Sequence, residues 1–371
     1  MESIKLNYKT GLAKGKHGIA IIGAGAITNA AHLPAYKKAG FNVVGIYDIN
    51  SPSAHSTAMK FSIPKVYESL DDLLADADVS VVDIAVPPWF QHDIVEKAVK
   101  AKKHLLCQKP LSDTFEESVK IVEMAKEHGV KLAANLQMRY EPLIAGAKDL
   151  LNRGWIGDPI YGEITVSIKT YWEAWPWLVQ SPILDLMYHS IHYFDSFRYL
   201  FGLPETIYTT VAKHPAQLEQ GESRNISILE YPGNLRLLVT VNHNNELSDP
   251  YAKLRIEGTE GVINGTFGLM YDYPHGRPDT LEFYSKKYYP DQWISQKFDE
   301  TWIPDAFIYT MNELLLSIEE GREPQNSGKD VLGTLQLVHS GYLSSKEKRP
   351  VSPSEIISLN EKEPIFHDDN K

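Results

Sequence analysis

Gly18-Ile19-Ala20-Ile21-Ile22-Gly23-Ala24-Gly25-Ala26-Ile27-Thr28 opens the stretch whose reading decides the fold, and Val43-Val44-Gly45-Ile46-Tyr47-Asp48 closes it. The first apolar run is too short for a helix, ends in Gly-x-Gly and leads into helical spacing. The second apolar run ends in an acid. Strand, glycine turn, helix, strand and acid, in that order, are what a βαβ unit needs to hold a dinucleotide. Gly23 is expected to make the tight turn off the strand. Gly25 would let the backbone approach a pyrophosphate seated on the helix N-terminus. Asp48 is placed to accept hydrogen bonds from the adenosine ribose hydroxyls. Thr28 stands where a third glycine or alanine is usual. Ile49 and Asn50 offer no cation to a 2′-phosphate and Asp48 would repel one, so NAD is expected over NADP.

The chain of 371 residues is long enough for two domains, each with its own core. Its formal net charge of −11, with no long Lys/Arg run, argues against nucleic acid as a partner. Cys107 is the single cysteine, which rules out an intrachain disulfide framework and fits a reducing compartment. Residues 1–17 carry four lysines but no apolar stretch, so they read as an N-terminal extension rather than a secretory signal. No segment reaches transmembrane length, and a cytoplasmic location is expected.

After Asp48, helix starts are expected at Ser51-Pro52-Ser53 and at Ser69. Val79–Val86 reads as a buried parallel strand stopped by Pro87-Pro88. A helix from about Gln91 to Lys102, the strand His104–Cys107 and a helix capped by Asp113 and Glu116 follow. Gly129 ends that helix, and Lys131–Asn135 supplies one more strand. Strands alternating with helices predict a doubly wound parallel sheet over residues 18–140. Beyond Tyr140 alternating runs dominate, among them Ile226–Leu229 and Leu235–Val241 around the Pro232-Gly233-Asn234 turn. Residues 141–371 therefore read as an α+β domain with a large open, mostly antiparallel sheet. One face of that sheet invites dimerisation.

Three groups of residues could carry chemistry. Lys109 follows a parallel strand directly, where ligands bind in open α/β sheets, and a lysine there can exchange a proton or hold a hydroxyl oxygen. Asp185, His189 and His192 fall at i, i+4 and i+7, so at helical spacing they share one face. Asp185 could orient His189 as an acid–base pair; a metal is not expected, because this face lacks a usual zinc signature. Three of the seven tryptophans fall within Tyr171–Trp177, and Trp172 and Trp175 could form a platform for a sugar, although core packing is the ordinary role of such rings.

These residues resemble the glucose–fructose oxidoreductase/inositol dehydrogenase/rhizopine catabolism (Gfo/Idh/MocA) family. The resemblance rests on Gly23-Ala24-Gly25, His32-Leu33-Pro34-Ala35, Lys109-Pro110, Gln137–Pro142, Asp185 with His189, Ile256–Gly261 and Glu320–Pro324, from Gly18 to about Val351. It implies a Rossmann domain, a C-terminal α/β domain used in dimers or tetramers, and oxidation or reduction of a sugar or cyclitol hydroxyl with NAD(P). The family's catalytic lysine, aspartate and histidine fall on Lys109, Asp185 and His189. Three departures stand out: Gln108 replaces a usual Glu, Met187 a common Gly, and His192 stands where Asp is frequent.

The expected cofactor-binding residues are Gly23, Gly25, Ala26, Ile27, Asp48, Pro87, Gln108, Lys109 and Arg139. Lys109, Trp172, Trp175, Asp185, His189 and His192 are expected to meet the substrate. His189 is expected to be the general base, with Lys109 stabilising the developing alkoxide; the two roles are exchangeable at this level. Two other readings stay open, a redox-neutral enzyme that recycles bound NAD through a keto-sugar, and a sensor of sugars or nucleotides.

Overall fold

The computed structural model describes residues 5–271 and 276–360. They form two compact units, one of residues 11–137 and 303–332, the other of residues 5–10, 138–302 and 333–360.

The first unit is built on six parallel strands, β1 (Ile19–Ile22), β2 (Val43–Tyr47), β3 (Lys65–Val66), β4 (Val81–Ile84), β5 (His104–Cys107) and β6 (Leu132–Ala134), in the order β3-β2-β1-β4-β5-β6. Every residue of β1 and β4 is buried, as a strand covered on both faces requires. The order reverses between β1 and β4, so the glycine turn after β1 and the Ala85–Pro87 segment after β4 flank the switch point where such sheets bind ligands. The helix Asp305–Glu320 belongs to this unit as well. Phe307, Ile308, Met311, Leu314 and Leu315 recur at helical spacing and pack with Tyr36, Leu33 and Ile46 in one buried cluster. Each such side chain contributes about 1.5–3 kcal/mol on burial.

One helix start differs from the expectation. Thr114, not Asp113, caps the helix Phe115–Glu127, and its side chain accepts from the Glu117 N–H at 3.3 Å. The cap falls one residue later than read because Thr114 takes the extended backbone a cap needs, and its own N–H bonds the Ser112 hydroxyl at 3.3 Å instead of closing a capping box.

The second unit carries an eight-stranded sheet of β7 (Pro159–Ser167), β8 (Thr206–Ala212), β9 (Arg224–Glu230), β10 (Arg236–Asn242), β11 (Tyr251–Gly258), β12 (Gly261–Thr266), β13 (Thr280–Ser285) and β14 (Tyr289–Lys297). Its order is β14-β13-β12-β11-β7-β10-β9-β8, antiparallel except for β7 beside β10. Leu237, Val239 and Val241 are buried on one face of β10 while Arg236, Leu238 and Thr240 lie on the other, the period of a sheet covered on one side. Helices Pro142–Asn152 and Ile191–Phe201 cover the inner face.

The stretch expected as one helix from Asp185 is broken. Asp185–Tyr188 forms one turn, His189 leaves helical geometry (φ −129°, ψ −58°), and Ile191–Phe201 begins anew. Among the described residues no helix is long and apolar enough to cross a membrane.

Candidate active site

The glycine turn has the shape a dinucleotide phosphate needs. Gly23 has φ +106°, and a Cβ there would lie 2.5 Å from the Ala85 carbonyl oxygen, so no other residue fits. Gly25 is exposed, and a Cβ on it would meet no protein atom within 4 Å, which leaves its backbone open to a ligand's approach. Thr28 occupies the third-glycine position usefully: its hydroxyl donates to the Gly23 carbonyl at 2.8 Å and ties the turn to the helix. Ala26 is exposed and Ile27 half-buried in the same turn.

Asp48 sits at the tip of β2. Its Oδ2 accepts from the Ala24 N–H at 2.6 Å and its Oδ1 from the Asn50 N–H at 2.7 Å. Two carboxylate oxygens offer about four lone-pair positions, so this bracing leaves capacity for ribose hydroxyls. The adjoining Ile49 is exposed and apolar, which suits a ribose without a 2′-phosphate. Pro87 ends the β4 side of the switch point in extended geometry.

Lys109 lies two residues past the end of β5 and is half-buried. Desolvation pulls its ammonium down from the ordinary lysine value to about 7. The backbone around it is pinned by Gln91, whose Nε2 donates to the carbonyls of Gln108 at 2.9 Å and Pro110 at 2.8 Å. Gln91 is fully buried and was not singled out from sequence, where it reads as an ordinary helix residue. Gln108 presents Oε1 to the Lys109 N–H at 2.9 Å and Nε2 to His32 Nε2 at 3.2 Å. The other ring nitrogen of His32 lies 2.7 Å from Asp83 Oδ2, which also accepts from the Tyr36 hydroxyl at 2.6 Å. Cys107 is a buried hydrophobe whose thiol burial pushes upward, away from reactivity.

The second unit holds the carboxylate–imidazole cluster. Asp185 is fully buried, and its carboxylate accepts from the Ser190 hydroxyl at 2.9 Å and the Asn225 amide at 2.5 Å. Because the helix breaks at His189, the expected stripe of Asp185, His189 and His192 does not form on one helix. The third member is His243 instead, just past the end of β10. One ligating atom each from Asp185, His189 and His243 lies within 4.8 Å of the others. The His189 and His243 rings are 4.2 Å apart at 60°. Sequence spacing carried no sign of His243, which the antiparallel pairing of β9 with β10 brings in from far along the chain, its N–H bonding the Ser223 carbonyl next to the Glu222 carbonyl that holds the Asp185 N–H.

The family models for an oxidoreductase family match the chain in both halves: the NAD-binding Rossmann fold over residues 17–136 and the C-terminal alpha/beta domain over residues 148–352. The chain belongs to the Gfo/Idh/MocA oxidoreductase family. The fold class read from the sequence is confirmed, and the first unit is an NAD-binding Rossmann domain. A D-apiose dehydrogenase of Paraburkholderia graminis is 26% identical over 93% of this chain and 91% of its own length. A 1,5-anhydro-D-fructose reductase of Ensifer adhaerens is 27% identical over 49% of this chain and 56% of its own. The fold is also that of a levoglucosan dehydrogenase solved with NADH and L-sorbose, at TM-score 0.78 and 21% identity over 91% of this chain and 98% of that one.

Within this family member the remaining expected residues take the following places. Arg139 is buried and gives its fork to Asp195, with Nε to Oδ2 and the terminal nitrogen to Oδ1, both at 2.6 Å. The His192 ring is buried edge-on against Trp302, with centroids 5.7 Å apart. Trp172 is buried too, its ring 5.2 Å from that of His243 and 6.3 Å from that of His189, so it walls the cluster. Trp175 is half-buried. Glu222, also missed from sequence, accepts from the Leu184 and Leu186 N–H groups and so clamps the backbone on both sides of Asp185.

Proposed function

We propose that this oxidoreductase moves a hydride between a secondary hydroxyl or ketone of a sugar, sugar derivative or cyclitol and NAD. The observation that carries the reading is Lys109 at the carboxyl end of β5, with an ammonium brought to about 7. A proton exchanger poised near neutral pH is what oxidation of a carbinol requires, since the hydroxyl proton must leave as the hydride does. NAD, when bound, supplies the hydride acceptor at its nicotinamide ring. Gly23 and Gly25 keep the turn open to its pyrophosphate, and Asp48 receives ribose hydroxyls. Lys109 Nζ takes the hydroxyl proton in oxidation and returns it in reduction. Asp185 and His189 hold the substrate's oxygens, with Trp172 behind them. Relatives that act on D-apiose and 1,5-anhydro-D-fructose support a carbohydrate substrate.

Two expectations complete the reading. The protein works in the cytoplasm, and a second copy covers the open face of the eight-stranded sheet, which exposes Ile226, Ile228 and Trp293; light scattering measures the oligomer.

The test is incubation with NAD and a panel of pentoses, hexoses, uronic acids, cyclitols and glycosides. NADH absorbance and product mass are read on the same samples. Ketone or lactone product matched by NADH supports the reading. Product without NADH replaces it with a cofactor-recycling mechanism.

A further inference from the structure

We propose that Asp185, His189 and His243 form a binding site for one zinc-class divalent cation. Two imidazoles and a carboxylate are a donor set such ions accept with further positions left open. The three donor atoms converge within 4.8 Å, and Asp185 and His243 are fully buried while His189 is partly exposed, so the open side is at His189.

His243 supplies the independent observation. Its Nε2 is buried and has no hydrogen-bond partner among the described residues, although Asp185 Oδ1 stands only 2.9 Å away. The two atoms are close without the alignment a hydrogen bond needs. Ligands about 2.0–2.2 Å from a shared tetrahedral ion sit roughly 3.3–3.6 Å apart, with both lone pairs aimed at the ion rather than at each other. The unaligned imidazole–carboxylate contact of 2.9 Å lies a few tenths of an ångström inside that spacing, a gap that a bound ion would open.

The surroundings match a ligand shell. His243 Nδ1 lies 2.7 Å from the Thr170 hydroxyl, which fixes the ring and turns Nε2 into the cluster, as the outer partner of a ligating histidine does. The Thr170 N–H also bonds the His243 carbonyl at 3.0 Å, so strand pairing holds both residues. Asn225 and Ser190 orient the Asp185 carboxylate. No lysine or arginine among the described residues pairs with Asp185, and Glu222 is the second carboxyl nearby. The site is short of positive charge.

Occupancy stands on this geometry alone; its use in turnover rests on the proposed sugar oxidation. There the cation supplies a Lewis acid for the reacting oxygen without changing oxidation state, His189 is a ligand, and the proton goes to Lys109. The carbinol C–H electron pair still passes to NAD.

The experiment uses tag-free protein stripped with a chelator and titrated with Zn²⁺ by calorimetry and with Co²⁺ by visible absorption. One equivalent per chain is expected, with cobalt d–d bands. His243→Ala should weaken binding by about a hundredfold or more, and Thr170→Val by about ten- to a hundredfold. NAD affinity should be unchanged in both, which shows them folded. Wild-type protein that takes no cation, or His243→Ala that binds as wild type does, overturns the site. NADH formation is scored separately: cation bound without sugar oxidation refutes the function and leaves the site standing. Should His243→Ala fail to fold, the wild-type stoichiometry and Thr170→Val decide.

Discussion

Gln108 Oε1 accepts a hydrogen bond from the Lys109 N–H at 2.9 Å, which turns the Gln108 amide nitrogen toward His32 Nε2. An amide nitrogen only donates, so that ring nitrogen accepts, and the ring proton sits on Nδ1 against Asp83. A carboxylate at position 108 would reverse this pattern and place a negative charge beside Lys109. Gln108→Glu should therefore raise the lysine's pKa from about 7 by on the order of one unit. The pH–rate profile of oxidation should move to higher pH by the same amount. An unmoved profile would disconnect position 108 from the proton exchange.

Asp48 and Ile49 set the cofactor preference. The wild-type protein should bind NAD at least about tenfold (1.4 kcal/mol) more tightly than NADP. Exchanging Asp48 for Ser together with Ile49→Arg removes the repulsion and supplies a guanidinium, so the preference should invert. Fluorescence titration with both cofactors reads this directly.

The Arg139–Asp195 pair is bidentate and buried on both sides. Thr334 also donates to Asp195 Oδ1, at 2.6 Å, so the carboxylate anchors three elements. Arg139→Met leaves that carboxylate without its principal counter-charge and should cost about 3–5 kcal/mol. The double variant with Asp195→Leu should recover part of the loss. Urea midpoints measure both, and unchanged NAD affinity in the folded variants would show Arg139 to be structural rather than a cofactor ligand.

The Rossmann half was legible because its information is local. Gly23, the Val/Ile-rich strands and Asp48 each declare themselves within a few residues. Periodicity shows a helix at Asp305–Glu320 but says nothing about which sheet it covers. The second unit was legible only in part. Spacing grouped Asp185 and His189 with His192 on one helix, because a helical period cannot reveal that the helix breaks at His189. His243 was invisible for the opposite reason: it reaches Asp185 through the antiparallel pairing of β9 with β10, where its N–H bonds the Ser223 carbonyl and the Asp185 N–H bonds that of Glu222, long-range contacts with no local pattern. Lys109 could be placed at a strand end, but its lowered pKa follows from burial that only the folded chain supplies.

The pH dependence of hydride transfer, measured in both directions for wild type and Lys109→Met, tests the central claim most directly. Lys109 titrates near 7, below its ordinary value, so it is neutral above that pH and charged below it. Oxidation needs the neutral amine, and its rate should rise through a midpoint near pH 7 and then level off. Reduction needs the ammonium and should fall through the same midpoint. In Lys109→Met both limbs should vanish, with turnover lowered by about a hundredfold or more and NAD binding intact. A variant that keeps the wild-type rate, or that keeps the same limb, would contradict the role given to Lys109.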